Sequence, residues 1–482
     1  MVGCTKVGPD YVKPNPVKLP PSLDNNTSKK LDDIAAWWKI FDDETLNTLI
    51  KKMYAQNFDL RSAGLRILQA RAALGIAEGL TYPQQQSISG SLAATRQKGN
   101  NFFAAGSSFD VGWEMDVWGK YARNIESSQA ILYASTASYD DILVSLISEV
   151  ARNYINYTTA LERIAFAKAN IEIQRKIAHM TQVQFNNGNV SELDYQQAKT
   201  QLYTTESLIP ALKITMYQSR NALSVLLGCQ PQEIDKLLRK TTQNNTKYYI
   251  PHAELSENFH IDSNLLTRRP DLRVAELQAR AQNAKIGAAQ AELYPHFSLF
   301  GSLGFNTNNA LNGWTSAPNS IGLAVGPAFS WNIFQYDRIK NQVRIQDAKF
   351  QESLNNYNKK VLVAINEVIN ALNSYKFSKK QLELTHKTIE ANQRALDISM
   401  TQYNNGMTGY ERLLNATEKL IKNEDRYAQI KGQIDTQIVF LYKALGGGWQ
   451  LRGKNSYLHK DDIKAMSKRS DWGEYFKGEE NE

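Results

Sequence analysis

Cysteine is scarce in this sequence, with only Cys4 and Cys229 among 482 residues. At most one disulfide can form, which excludes a small scaffold held together by several bridges. Long hydrophobic runs are also missing. No stretch approaches the 18 or more consecutive apolar residues of a membrane-spanning helix, and the mean hydropathy is −0.46. If the chain enters a membrane, it does so as β-strands.

Proline is equally sparse, at 13 residues, and long stretches rich in Gln, Asn, Ala and Lys contain none. Such stretches favour helix, so long helices are the first expectation. A length of 482 residues exceeds what one compact core usually holds, which predicts more than one structural region. The net charge of +8 is spread along the chain rather than gathered into a basic block, which argues against binding to nucleic acid.

Catalytic and metal-binding patterns are absent from the sequence as well. The six histidines are scattered and none has a metal-ligand spacing such as HExxH. No phosphate-binding glycine loop, nucleophile elbow or pair of catalytic carboxylates emerges. We therefore predict no enzyme, no catalytic residue, no cofactor and no metal. A weak alternative is a zinc site in one linker, with the ligands His252, Glu254, His260 and Asp262.

What the sequence does contain is an internal repeat. Four residues recur at one fixed spacing: Asp59, Gly75, Tyr82 and Pro83 return as Asp271, Gly287, Tyr294 and Pro295. Further on, the segment 180–188 returns in slightly shortened form at 400–406. The chain therefore has two copies of one design. In each copy a helix ends at the Tyr-Pro pair, because the residue before proline is pushed out of helical geometry.

Two alternating segments follow each Tyr-Pro pair and predict four strands. In the first copy they run from Ser87 to Thr95 and from Phe109 to Val117, joined by a turn-rich connection from Gly99 to Gly106. In the second copy they run from Phe297 to Phe305 and from Ile321 to Ile333. A soluble sheet with one buried face would show the same alternation. We favour a lipid-facing band, because no partner layer is evident and four tryptophans suit membrane interfaces: Trp113, Trp118, Trp314 and Trp331.

Very long proline-free helices come next, roughly from Tyr121 to Phe185 and from Arg338 to Tyr403. At 1.5 Å per residue each would span about 100 Å, far more than a globular core requires. Each ends at Asn-Asn-Gly, after which a second helix returns to Leu227-Gly228 or Leu445-Gly446. This pattern predicts two antiparallel helical hairpins per chain.

The strand count predicts an assembly. Four strands cannot span a bilayer alone, because the two sheet edges would leave backbone groups unpaired in hydrocarbon. Two chains give eight strands, which fill their own interior, whereas three give twelve and leave a lumen. The predicted fold class is therefore mainly α with a β-barrel contribution. A trimer would form a 12-stranded transmembrane barrel on a cylinder of six helical hairpins.

The residues Met1 to Cys4 look like the end of a bacterial lipoprotein signal, in which the cysteine after a small residue becomes lipidated. No charged and apolar parts of a signal peptide precede them, so either the start codon is misassigned or the chain is trimmed. The alternative is an ordinary N-terminal cysteine.

Several motifs, taken in order, resemble the outer membrane factor (TolC-like) family of efflux exit ducts, in particular its NodT/OprM-like lipoprotein branch. These are Gly3-Cys4 followed by Gly8 to Pro14, Trp37-Trp38 with Phe41, Asn57 to Leu60, the run RRPDLRVAE at Arg268 to Glu276, and the run YNNGMTGYERLLNA at Tyr403 to Ala416. Of these, Arg268 to Asp271 is the most specific. Because a Pro-Asp pair also suits the start of a helix, we expect the role of this motif to be structural.

The resemblance implies a homotrimer in the cell outer membrane, lipid-anchored at Cys4 and extending into the periplasm. It implies a periplasmic adaptor (membrane fusion) protein, an inner-membrane pump such as an RND-type transporter, and outer-membrane lipid as partners. The chain then divides as follows: 1–30 lipid-anchored extended segment, 31–56 equatorial segment, 57–81 helix, 82–119 strand pair, 120–229 hairpin, 230–265 equatorial linker, 266–293 helix, 294–335 strand pair, 336–446 hairpin and 447–482 equatorial tail.

In the family, the periplasmic end of the tunnel is held nearly shut just past the hairpin turns. Matched from the turns, this constriction falls on Asp194 in the first hairpin and on Tyr403, Thr408, Arg412 and Asn415 in the second. Relatives commonly carry a carboxylate where Asn415 stands, and some carry another at Arg412. We therefore hypothesise that an Asp194 to Arg412 pair acts as the latch; the alternative is that both are solvated helix charges.

The two turns resemble the tips on which the adaptor docks: Asn186, Asn187 and Gly188 in the first hairpin, and Asn404, Asn405 and Gly406 in the second. The resemblance implies a passive conduit for drugs or other small toxic compounds. A duct for protein export (type I secretion) and a soluble periplasmic coiled-coil scaffold are the alternatives.

Overall fold

The computed structural model describes residues 6–14, 34–97, 99–243, 250–255, 268–309, 314, 320–453 and 455–476. The chain forms two compact units. The sheet unit comprises Met1–Val17, Gly64–Ser138 and Asp271–Lys360. The hairpin unit comprises Lys18–Ala63, Tyr139–Pro270 and Val361–Glu482.

Long helices dominate the described residues, as predicted. The α-helices are α1 Glu44–Gln56, α2 Phe58–Gly79, α3 Lys120–Asn186, α4 Glu192–Leu226, α5 Pro231–Gln243, α6 Pro270–Ala291, α7 Arg338–Asn404, α8 Tyr410–Ala444 and α9 Lys460–Ser467. The strands are β1 Gln85–Gln97, β2 Asn100–Met115, β3 His296–Asn308 and β4 Ile321–Ser330. Short 3₁₀ helices occupy Ile34–Phe41, Trp449–Arg452 and Gly473–Phe476.

The sheet unit contains one antiparallel sheet with the strand order β1-β2-β3-β4. Strands from both sequence copies therefore share a sheet, with Phe109 opposite Ile88 on one side and Leu303 on the other. The predicted connection from Gly99 to Gly106 is wrong, because β2 already begins at Asn100 and pairs along its whole length. Small residues suggest a turn in sequence, but pairing with β1, and from Ala104 onward also with β3, keeps this segment extended.

Two strands also stop earlier than predicted. Strand β2 stops at Met115 rather than Val117, and β4 stops at Ser330 rather than Ile333. The carboxylate of Asp116 accepts hydrogen bonds from the backbone N–H groups of Tyr121 and Ala122, at 3.0 and 2.8 Å. Asp116 thus begins the turn into α3, because an acidic side chain here satisfies N–H groups of the first helical turn.

The hairpin unit has its core where the segment from Ile34 to Gln56 packs on the long helices. Trp37 is fully buried and stacks on Tyr442 of α8, with ring centroids 5.4 Å apart. Tyr154 of α3 is also fully buried, and its hydroxyl donates to the carboxylate of Asp43 at 2.8 Å. These contacts join the predicted equatorial segment to helices from both hairpins.

The Arg-Arg-Pro-Asp motif has the structural role that the sequence suggested. Pro270 is the first residue of α6, where a missing N–H costs nothing. Arg269 is buried and donates to the backbone oxygen of Ala444 at 2.7 Å and to Glu367 at 2.8 Å. The guanidinium therefore satisfies a carbonyl at the end of α8 and ties it to α7.

One described helix, Lys120–Asn186, contains an 18-residue window with a mean hydropathy of 1.2. By length and composition this window could cross a membrane, but 44% of it is buried inside the protein. A packed helix core passes the same test, so the window is weak support for a helical span.

Candidate functional site

The tips of the two helical hairpins are built in the same way. Helix α3 stops at Asn186 and α7 stops at Asn404, each followed by a glycine with positive φ, 74° at Gly188 and 68° at Gly406. At the first tip, Asn189 N–H donates to Gln184 O at 2.9 Å; at the second, Met407 N–H donates to Gln402 O at 2.9 Å. These bonds define a Schellman turn, which favours glycine because the left-handed conformation strains other residues.

The two return helices begin differently. Ser191 caps α4, since its hydroxyl accepts from Asp194 N–H at 3.2 Å. The Asp194 carboxylate accepts in turn from Ser191 N–H at 3.1 Å and from the Ser191 hydroxyl at 2.8 Å. Helix α8 has Gly409 at the same place and no side-chain cap. The first tip is thus fixed by a capping box that the second tip lacks.

Behind the turns, all four helices meet in an apolar cluster that we call the tip core. Its buried members are Ile177, Ala178, Ala198, Leu396, Tyr403, Tyr410, Leu413, Ala416 and Leu420. The two hairpins of one chain are therefore packed together at their tips rather than standing apart.

Tyr403, predicted at the constriction, lies in the tip core. Its side chain is 4% exposed and its ring meets that of Tyr410 edge to face, with centroids 5.9 Å apart. Burial raises the pKa of Tyr403, and the nearby Asp194 charge raises that pKa further. Burial likewise raises the pKa of Tyr410. Both phenols therefore stay neutral, and the constriction role of Asp194 and Tyr403 stays a prediction.

The other predicted constriction residues lie on the surface of the chain. Arg412 and Asn415 are exposed on α8, Thr408 is half-buried before it, and Asp194 is half-buried on α4. Among the described residues of one chain, no ion pair within 4.0 Å joins Asp194 to Arg412. The Asp194 carboxylate instead serves the capping box. A latch between these two residues would have to form between chains, and it stays a prediction.

The predicted docking residues at the turns are all exposed: Asn186, Asn187, Gly188, Asn404, Asn405 and Gly406. Met407 beside them is 76% exposed and Leu193 is 65% exposed. Each tip therefore presents backbone, amides and one large apolar side chain to its surroundings.

The weak zinc alternative gains no support from the described residues. His252 lies 3.5 Å from the buried carboxylate of Asp435 and 3.8 Å from Glu254, while His260 and Asp262 fall outside the described part of the chain. No group of three His, Cys, Asp or Glu in the described ranges could hold a metal ion. Asp435 instead accepts a hydrogen bond from Ala253 N–H at 3.3 Å, which holds the linker against α8.

A second site was missed by the sequence reasoning and lies in the sheet unit. Arg123, near the start of α3, is only 2% exposed and holds the N-terminal segment 6–14, which we call the strap. Its guanidinium donates to Val7 O at 3.2 Å, to Gly8 O at 3.1 Å and to Asp10 at 2.9 Å. Gly8 has φ 88° and lies so close to Gly287 that a Cβ would collide. Cys4 itself lies outside the described residues.

The sheet has one apolar and one polar face. Paired neighbours Ile88, Phe109, Leu303 and Leu323 share the first face, and Ser87, Asp110, Ser302 and Ala324 share the second. Three predicted interfacial tryptophans donate their indole N–H to backbone oxygens near the Tyr-Pro pairs: Trp113 to Thr81, Trp118 to Pro295 and Trp331 to Leu293. Trp314 lies in the β3 to β4 connection and is 54% exposed. These tryptophans thus lie near the ends of the strands or in the connections between them.

Comparison with known proteins matches this architecture along both repeats. A family model described as outer membrane efflux protein matches residues 49–229 and 262–447. Nodulation protein T of Rhizobium leguminosarum bv. trifolii is 28% identical over 378 residues, which cover 77% of this chain and 78% of that protein. The probable outer membrane lipoprotein SilC of Salmonella typhimurium is 26% identical over 391 residues, covering 80% and 82%.

A solved structure gives the same picture. The outer-membrane channel OprN superposes with a TM-score of 0.82 at 30% sequence identity, covering 92% of this chain and 100% of that one. The similarity therefore includes the sheet, the long helices and the segments between them.

Proposed function

Because this chain belongs to the outer membrane efflux protein family, we propose that three copies assemble into the exit duct of a tripartite efflux system. The family consists of transport conduits of the outer membrane, with the TolC-like fold that the sequence predicted. The duct would conduct drugs or other small toxic compounds delivered by an inner-membrane pump of the RND type. A periplasmic adaptor would join that pump to the exposed hairpin tips.

The observation that carries the proposal is the four-stranded sheet with two unpaired edges. Strands β1 and β4 are the edges, and each has a neighbour on one side only among the described residues. Unpaired backbone N–H and C=O groups are too costly in hydrocarbon, so the edges must pair with those of other copies. Three copies supply twelve strands, enough to enclose a lumen, with the apolar face toward lipid.

Exposed apolar side chains on the helices support the same assembly. Within one chain α3 packs on α8, through Arg163 with Asp425 at 2.7 Å and the buried pair Glu162 with Lys431 at 3.2 Å. The other two helices of the hairpins, α4 and α7, carry most of the large exposed apolar residues of the hairpins. These include Leu208, Ile214 and Tyr217 on α4, and Leu362, Phe377 and Leu384 on α7.

Two of these residues lie at the same distance from the tips. Tyr217 lies 29 residues after Gly188, and Phe377 lies 29 residues before Gly406. If α4 of one copy lies beside α7 of the next, the two aromatic rings come to the same height. Burial of both stripes in a ring of hairpins would supply the hydrophobic stabilisation that one chain leaves unused.

The strap supports lipid anchoring at Cys4. Val7 is held just past the C-terminal end of β2, since its N–H donates to Trp118 O at 3.1 Å. Cys4 is two residues before Lys6, so an acyl chain on it would start within about 7 Å of that point. Such an anchor would enter the membrane beside the barrel.

The direct test is the mass of the full-length protein extracted in detergent, measured by light scattering corrected for bound detergent. The expected value is three times the chain mass of 54.5 kDa. A single-channel recording in planar bilayers should show a small, mostly closed conductance. A monomer that is released from membranes by salt without detergent would overturn the proposal.

A further inference from the structure

Charge is almost absent from the middle of the sheet. The ionisable residues on the four strands are Arg96, Asp110, Glu114 and His296. Three of them lie at or next to a strand end. Asp110 alone is central, ten residues from the start of β2 and five from its end. A charged side chain is costly in the middle of a membrane-spanning sheet, so such a residue usually has a function.

Asp110 lies on the polar face. Its backbone partners are Ser87 on β1 and Ser302 on β3, whereas the next residue back, Phe109, pairs with Ile88 and Leu303. Because alternate residues point to opposite faces of a sheet, the Asp110 carboxylate points away from the apolar face. In a closed barrel with its apolar face toward lipid, Asp110 therefore points into the lumen.

Neighbouring serines hold this carboxylate without neutralising it. The Ser108 hydroxyl donates to one oxygen at 2.7 Å and the Ser302 hydroxyl donates to the other at 2.6 Å. The Ser89 and Ser108 hydroxyls are themselves 2.9 Å apart, which extends the network to β1. Hydroxyl donors stabilise an ionised carboxylate and fix its position. Among the described residues, no Lys, Arg or His forms an ion pair with it, so its negative charge is not neutralised within one chain.

We propose that Asp110, contributed once by each of three copies, forms a ring of carboxylates on the lumen wall that favours cationic over anionic solutes. This inference rests on the proposed trimeric duct. The field of such a ring reaches about 10 Å into the lumen at 0.1 M salt, so it discriminates at low ionic strength and fades at high ionic strength. The cargo class that it favours is positively charged small molecules and cations.

The test uses thiol reporters on the two faces of β1 in the full chain, with Cys229→Ser as background and Cys4 retained. Ser87→Cys places a thiol opposite Asp110, and Ile88→Cys places one on the apolar face. Each reporter in proteoliposomes is treated at low salt with a cationic and an anionic methanethiosulfonate reagent of similar size. The reagents enter through the outer mouth, so the periplasmic constriction does not affect the rates.

We expect the cationic reagent to modify Ser87→Cys several-fold faster than the anionic one, after correction for their rates with a free thiol. Adding Asp110→Asn should lower this ratio towards one, since the charge next to the reporter is removed. Ala324→Lys, on the same face of β4, should lower the ratio while Asp110 remains, which covers the case in which Asp110→Asn does not assemble. High salt should lower it as well.

The outcomes separate the two proposals. A ratio that neither Asp110→Asn nor Ala324→Lys changes would overturn the inference and leave the duct intact. Reaction at Ile88→Cys with protection of Ser87→Cys would reverse the two faces and overturn the barrel itself.

Discussion

At the scale of single residues, Arg123 shows how one buried cation can position a whole segment. Its guanidinium satisfies two backbone carbonyls of the strap and contacts the carboxylates of Asp10 and Glu126. The Asp10 side chain is 90% exposed, so its ion pair with Arg123 adds little. The two hydrogen bonds to backbone carbonyls therefore supply most of the stabilisation that Arg123 gives the strap. The strap has few other polar contacts, among them Asn283 to Pro9 O at 2.9 Å.

Replacing Arg123 with Ala should therefore loosen the strap. Removal leaves two carbonyls without their donor, a loss of at least about 1.5 kcal/mol, or roughly tenfold in the population of the open strap. Trypsin should cut the Lys6–Val7 bond about tenfold faster in the variant. Asp10→Asn is the matched control and should leave the rate nearly unchanged. Equal protection in Arg123→Ala would show that the strap is held elsewhere.

The caps at positions 191 and 409 give a second comparison between single residues. Ser191→Ala removes the capping hydroxyl and should destabilise the first turn of α4 by about 1 kcal/mol. Gly409 has φ −74°, an ordinary value, and a Cβ there meets no atom within 4 Å. Gly409→Ser should therefore slow amide exchange in the first turn of α8, while Ser191→Ala speeds exchange in α4. Faster exchange in Gly409→Ser would mean that glycine is required there.

At the scale of elements, the sequence predicts helices and turns well where the signal is local. The ends of α3 and α7 lie within one residue of the predicted positions, and Gly188 and Gly406 adopt the positive φ that a helix stop requires. Proline-free repeats and Asn-Gly turns act through neighbouring residues, so they can be recognised without knowledge of the fold.

Features set by distant partners could not be predicted in the same way. Ala104 and Ala105 are extended because both β1 and β3 pair with them. No pattern in the neighbouring sequence predicts that pairing. Arg123 looks in sequence like any cation on a helix surface, and only the folded strap buries it. Likewise, the position of Asp194 beside Ser191 fits both a cap and a latch, since one carboxylate suits either role.

At the scale of the whole molecule, the unused apolar stripes on α4 and α7 predict how copies associate. Phe377→Glu places a charge where Tyr217 of the next copy would pack, so the trimer should dissociate at lower detergent or protein concentration. Lys379→Gln changes the net charge equally on the opposite face of α7 and should leave the mass unchanged. The measurement is the mass of both detergent-extracted variants by light scattering. A trimer as stable in Phe377→Glu as in the parent would place the interface elsewhere.

The latch between copies is a separate prediction about the closed state. If Asp194 of one copy pairs with Arg412 of another, Arg412→Ala should raise the time that single channels spend open in planar bilayers. Asp194→Arg combined with Arg412→Asp should restore the closed state, because the swap re-forms the pair with its charges exchanged. Ser191→Ala controls for loss of the cap alone. Unchanged gating in Arg412→Ala would refute the latch.

The equal size of the two hairpins has a consequence for whatever meets the duct. Both outgoing helices have 67 residues and both return helices have 35, so corresponding turn residues differ by a constant 218 positions. In a trimer, six tips would form a level rim with nearly sixfold symmetry, although only three chains build it. A ring of six identical subunits could then bind to that rim. Because Ser191 alternates with Gly409 around the rim, the six subunits would meet two slightly different contact surfaces.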